Sequence, residues 1–248
     1  MLIARNFRLT REKTITLLHD LETSDEEAIS MFFPSGMLIA DIESILQKTP
    51  GAALVPQEVG KLAGSSQTGA ALFWGKTHKY LISPPFPLKE KYITSGYEIE
   101  PLLALLMQDF NIGIVLVRLG SYSIGFCHGE TLLDHYTGTG LVHGRHRQGG
   151  SSSARFQRRR QDQTHHFLER VGEHIEEKFS PYAKTLNYLV YGGARTTIQQ
   201  LRKQCSFLQQ FDDRLLPPLL EIPDPKFNIL EKAVQDIWSS KVTEWSEE

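Results

Sequence analysis

Cysteine is almost absent from this sequence: Cys127 and Cys205 are the only two. They lie far apart and in no C-x-x-C spacing. That argues against a disulfide framework and a thiolate zinc site, and predicts two buried free thiols in a reducing compartment. Long apolar runs are lacking too. No stretch approaches the ~20 residues of a membrane-spanning helix, and the opening "MLIARNFRLTREK" has no signal-peptide core. The expectation is a cytoplasmic protein with no membrane partner. Charge of one sign is also lacking overall: the formal net charge is -2, so only a local cluster could attract a polyanion. Nucleotide fingerprints are missing. "GTGLVHG" has the wrong spacing for a dinucleotide turn, and "HRQGGSSS" lacks the Gly-Lys-Ser/Thr of a P-loop. With 40% hydrophobic and 23% charged residues, there is material for an ordinary core, in one large domain or two small ones.

Periodicity organises the rest. Leu9–Glu22 has helical spacing, "EAISMFFPSG" reads as a short strand, and "MLIADIESILQK" gathers Leu38, Ile39, Ile42, Ile45 and Leu46 on one helical face. Lys61–Gly69 reads as a loop and as a boundary between residues 1–66 and 67–248. "AALFWG" and "KYLIS" read as strands, "PPFPLKEK" as an extended edge and "YEIEPLLALLMQDF" as a helix. "IGIVLVRLGSYSIGFCHG" is the clearest hairpin, and a strand near Glu130–Tyr136 leads into a glycine-rich loop over residues 138–153. One long helix, Ser153–Phe179, follows, with Phe156, Arg160, Gln163, Phe167, Val171 and Ile175 as its stripe and Pro181 as its stop. "TLNYLVYGG" reads as a buried strand, "ARTTIQQLRKQC" as a helix, "LLPPLLEIPD" as an edge-like strand, "PKFNILEKAVQDIWSSK" as a last helix and "TEWSEE" as an acidic tail. The alternation predicts an α/β fold, a mixed β-sheet with flanking helices.

One absence points to function. No carboxylate occurs between Asp134 and Asp162, and "HGRHRQGGSSSARFQRRR" concentrates six arginines there: Arg145, Arg147, Arg155, Arg158, Arg159 and Arg160. On the helix, Arg155, Arg158 and Arg159 cluster opposite the apolar stripe. Cations in the first turns oppose the helix dipole, and local conflicts of this kind mark functional sites. Guanidinium groups beside free helix N–H groups form a receptor for phosphates. The alternative is a solvated basic face with no partner. A metal fits poorly. His143 and His146 sit among arginines, His165 and His166 diverge by about 100° on a helix, and no nearby carboxylate completes a ligand set. No metal and no cofactor is expected. An RNA nuclease would need clustered carboxylates, for which Glu130 and Asp134 are the candidates, but nothing in their spacing supports it.

The stretch from Gly144 to Glu173 resembles the central domain of eukaryotic and archaeal class-1 peptide release factors. It is closer still to the Vms-type peptidyl-tRNA hydrolases of ribosome quality control and their bacterial relatives. The matching positions are Gln148, Gly149, Gly150 and Ser151, then Arg155 and Phe156, then Arg158 to Arg160. The resemblance implies an RNase H-like release-factor central domain with a small α/β N-terminal extension. It implies a glycine loop that enters the peptidyl-transferase centre and promotes hydrolysis of the peptidyl-tRNA ester. The partners would be large-subunit rRNA and peptidyl-tRNA, with no DNA. It makes Gln148, Gly149, Gly150, Ser151 and Ser152 the catalytic candidates, and the six arginines the RNA-binding ones. The chain departs from the family at one point. Release factors carry Gln after Gly-Gly, where Ser151 stands; the quality-control hydrolases carry it one residue later, where Ser152 stands. Three readings stay open: backbone amides with Ser151 or Ser152 orient the water, Gln148 substitutes, or the domain binds ribosomes without hydrolysis. No segment suits a stop-codon-reading domain, which favours codon-independent rescue.

Overall fold

The computed structural model describes residues 2–24, 27–52, 54–142 and 153–247. In chain order the elements are β1 (Leu2–Leu9), α1 (Arg11–Glu22), β2 (Ala28–Phe33), α2 (Ile39–Lys48), α3 (Glu58–Ser65), β3 (Ala70–Gly75), β4 (Lys79–Ser83), β5 (Tyr92–Ser95) and α4 (Glu100–Met107). Then come β6 (Asn111–Arg118), β7 (Ser121–His128), β8 (Thr131–Thr139), α5 (Ser153–Phe179), β9 (Tyr188–Gly193), α6 (Arg195–Gln204), α7 (Phe227–Ile237) and β10 (Ser240–Glu247). Two compact units result, Met1–Gln108 with Gln235–Glu248, and Asp109–Val234.

The first unit is a six-stranded antiparallel sheet in the order β1-β10-β4-β3-β2-β5. Alternation along β2 sends Phe32 to one face, with Leu18, Leu21, Leu102 and Leu106 of α1 and α4. It sends Met31 and Phe33 to the other, with Ile42, Leu46, Val59 and Ala63 of α2 and α3. Helices on both faces explain why β3, "AALFWG", is buried at every position.

Several expectations change here. The chain divides at Gln108 and Val234 rather than near residue 66, because β3 and β4 pair with β2 and β10 in one sheet. Most of the expected 61–69 loop is helix α3. Its glycines obscured it: a Cβ at Gly60 would lie 2.7 Å from Glu43 Cγ and one at Gly64 2.5 Å from Ile39 Cγ1, so both permit close packing on α2 while lowering helix propensity. "PPFPLKEK" forms no strand; the edge is β5. The acidic tail is β10, a strand between β1 and β4. Trp245 anchors it, buried against Trp74 at 5.6 Å between ring centres and donating from Nε1 to Glu58 Oε1 at 2.8 Å.

The second unit carries the mixed sheet, in the order β8-β7-β6-β9 with β6 and β9 parallel. Its hairpin turns at Leu119 and Gly120, where Gly120 has φ of 104°, a value glycine adopts freely. Phe167, Val171, Ile175 and Phe179 of α5 join Ile198 and Leu201 of α6 on Tyr122, Ile124 and Phe126 of β7. The proline-containing stretch after α6 makes isolated bridges to β9 at Leu215 and Leu220 instead of forming a strand, since Pro217 and Pro218 cannot donate to a ladder. Both cysteines are free and buried, and burial pushes the Cys127 thiol up to about 12. Among the described residues, no helix is long and apolar enough to cross a membrane.

Candidate functional site

The basic stretch joins β8 to α5. Within it the structure describes the helix, whose first buried side chain is Phe167; from residue 155 to 166 none is buried. At 1.5 Å per residue those turns extend about 18 Å. Strand β8 leaves its sheet beside the first buried turn: a Cβ at Gly140 would lie 2.6 Å from Phe167 Cδ2, and the Gly140 N–H donates to the Gly120 carbonyl at 2.9 Å. Gly138 and Gly140 of "GTGLVHG" thus make room for rings. A Cβ at Gly138 would lie 2.4 Å from the Tyr122 hydroxyl.

Arg155, Arg158 and Arg159 are exposed on these turns. Helical geometry gathers them within an arc of about 100° facing away from Phe167 and Val171. The first turn holds no acidic side chain. Arg160 falls on the side of the stripe and is half-buried. Phe156, expected within the apolar stripe, is 52% exposed, because the sheet that buries Phe167 does not reach it.

Below this segment α5 is clamped. His174 stacks on Tyr136 at 4.2 Å and on Tyr122 at 6.0 Å, and Tyr122 meets Phe167 edge-on at 5.7 Å. Burial, then the neighbouring Tyr136, holds the Tyr122 phenol far above its ordinary value, so it stays neutral. Lys178 Nζ donates to both oxygens of Asp134, at 2.9 and 3.3 Å. This hydrogen bond raises the lysine pKa. Gln204 of α6 reaches His165 Nδ1 at 2.7 Å.

The sequence-predicted residues separate into three groups. Arg145, Arg147, Gln148, Gly149, Gly150, Ser151 and Ser152 lie outside the described residues, as do His143 and His146. Arg155, Arg158 and Arg159 come together on one face, with Arg160 apart from them. The two carboxylates considered for a metal do not assemble. Asp134 is paired with Lys178, while Glu130 sits in the turn before β8, at the end of that strand far from the glycine loop. His166 turns to Glu169 at 3.4 Å while His165 turns to Gln204. Sequence reasoning missed the clamp of Tyr122, Tyr136 and His174. Its elements are distant in sequence, and only the small residues Gly138 and Gly140 hinted at bulky neighbours.

A family model described as the Actinobacteria/chloroflexi VLRF1 release factor matches residues 111–243. Peptide chain release factor subunit 1 of Archaeoglobus fulgidus is 31% identical over 122 residues, 48% of this chain and 30% of that protein. The protein of the same name from Pyrococcus abyssi is 26% identical over 221 residues, 75% of this chain and 52% of that protein. The chain spans about half the length, or less, of these curated relatives. Among solved structures, an archaeal translation termination factor, aRF1, aligns over 92% of this chain and 70% of its own at 19% identity, with a TM-score of 0.41.

Proposed function

Since the chain belongs to the Actinobacteria/chloroflexi VLRF1 release factor family, we propose that it is a codon-independent peptidyl-tRNA hydrolase acting at the peptidyl-transferase centre in ribosome rescue or quality control. The observation that carries this reading is the order along the sequence: Gly149 and Gly150 stand a few residues before a helix whose exposed first turns bear Arg155, Arg158 and Arg159. Arg145, Arg147, Arg155, Arg158, Arg159 and Arg160 hold phosphates of large-subunit rRNA or of the tRNA in the cytoplasm, and so fix the loop in place. Water attacks the ester carbonyl, and backbone N–H groups of the Gly149–Gly150 tip donate to the developing oxyanion or the leaving oxygen. The carbon–oxygen bond to the ribose breaks, that oxygen takes the proton, and peptide acid and free tRNA result. Gln148, Ser151 or Ser152 orients the water. The reading assigns no metal and no cofactor.

A second reading, a non-catalytic ribosome- or tRNA-binding factor, is favoured by one observation: serine stands at both positions where the resembling families carry glutamine. One assay decides between them. On purified stalled large subunits carrying peptidyl-tRNA, the wild type releases the peptide. Replacing both Gly149 and Gly150 with Ala slows release by about 100-fold or more. Equal release by wild type and double variant overturns the catalytic assignment. No release at any concentration, together with salt-sensitive cosedimentation, selects the binding factor. Within the catalytic reading, Gln148→Ala separates the water-orienting candidates. Strongly slowed release assigns the role to that side chain, and unchanged release assigns it to a serine or the backbone.

A further inference from the structure

Phe156 is the only Phe, Tyr or Trp between residues 153 and 166, and it is 52% exposed. It lies eleven residues, about 16 Å along the helix, ahead of the first buried ring of α5. The hydrophobic core is therefore not what it serves. Two of its helical neighbours are cationic: Arg159 and Arg160 stand three and four residues on, the positions that flank a side chain one turn away. An aromatic face bordered by guanidinium groups offers the two interactions that an unpaired nucleotide uses, stacking of its base and charge pairing of its phosphate. A nucleotide within a duplex cannot use the ring, because its base faces are already stacked.

We propose that Phe156 is a positioning residue that stacks on an unpaired base of the RNA held by the α5 arginines. This deepens the release-factor reading and rests on its RNA-binding part, not on hydrolysis. The shared chemistry is an unstacked nucleobase with an adjacent phosphate. The two possible sources are a single-stranded segment of large-subunit rRNA and the unpaired acceptor end of tRNA. Stacking needs a flat π-face, so Tyr replaces Phe156 and Leu does not, although Leu fills a packing role well.

The test measures binding of the wild type, Phe156→Leu and Phe156→Tyr to vacant large ribosomal subunits by cosedimentation, and to deacylated tRNA by fluorescence anisotropy, at one fixed salt concentration. Thermal melting of each protein checks folding. Phe156→Leu is expected to bind about tenfold more weakly to whichever RNA supplies the base, with Phe156→Tyr within about twofold of wild type. Leu equal to wild type on both RNAs, Tyr as weak as Leu, or a wild type that binds neither RNA overturns the proposal. The peptide-release assay is read separately. A Leu–Tyr split without release sinks the catalytic reading and leaves this one standing; release without a split does the reverse.

Discussion

At the scale of single residues, the ground beneath the basic helix is set by close contacts. Gly138 has no side chain because Tyr122 occupies that space: a Cβ there would meet Oη and Cζ at 2.4 Å. The ring cannot step aside, being buried and held between Tyr136, Phe167 and His174. Gly138→Ala should cost about 1–3 kcal/mol through overpacking, seen as a Tm several degrees lower. The Asp134–Lys178 pair gives a pH-dependent counterpart. Its hydrogen bond raises the lysine pKa in the folded state. The stabilisation is therefore complete below the ordinary lysine value of about 10.4 and is lost as pH rises through the raised one. Asp134→Asn should lower Tm by a few degrees at pH 8, consistent with roughly 1 kcal/mol for a partly exposed pair. The wild-type and variant melting curves should then converge in strongly alkaline buffer. A gap that persists there would mean the pair is not its source.

At the scale of elements, α5 carries both the structural and the functional argument. Its C-terminal half is an amphipathic core helix; its first turns are an arginine-bearing extension. Each of Arg155, Arg158 and Arg159 that touches a phosphate should contribute separately to salt sensitivity. Changing one to Gln should reduce the slope of log affinity against log salt by about 0.7–0.9, measured on large subunits between 50 and 200 mM salt (a range in which such slopes are steep). Arg160, half-buried on the other side, should change it less. The helix itself was fully legible in the sequence: Ser153–Phe179 has the expected bounds, because Phe167, Val171 and Ile175 keep strict helical spacing and Pro181 ends the run. The β6–β7 hairpin was legible for the same reason, two apolar runs around Gly120. Helix α3 was hidden because Gly60 and Gly64 serve packing against propensity. The candidate site was legible as residue types, since arginines without nearby carboxylates stand out in any reading. The exposure of Phe156 was not, because periodicity says which face a residue shares but not how far the covering sheet extends.

At the scale of the whole molecule, the chain's two ends close one sheet: Leu2 pairs with Glu247 and Leu9 with Ser240. No local signal announces such a pairing. The tail "TEWSEE" reads as acidic and solvated until Trp245 is placed against Trp74 and Tyr80 donates to Glu244 at 2.9 Å. The consequence is testable because the tail belongs to the first unit while the arginine helix belongs to the second. Trp245→Ala removes a fully buried indole and should cost about 3–5 kcal/mol. If the two units are separately cooperative, that loss stays in the first sheet. Hydrogen exchange should then accelerate at β1, β4 and β10 while amides of β6 and β7 keep their protection. The variant should retain the salt-dependent RNA affinity proposed for α5 under conditions where the first sheet still populates its fold. Equal loss of protection in both sheets would instead make the chain one cooperative unit, in which a substitution near the C-terminus disables the arginine helix through global unfolding.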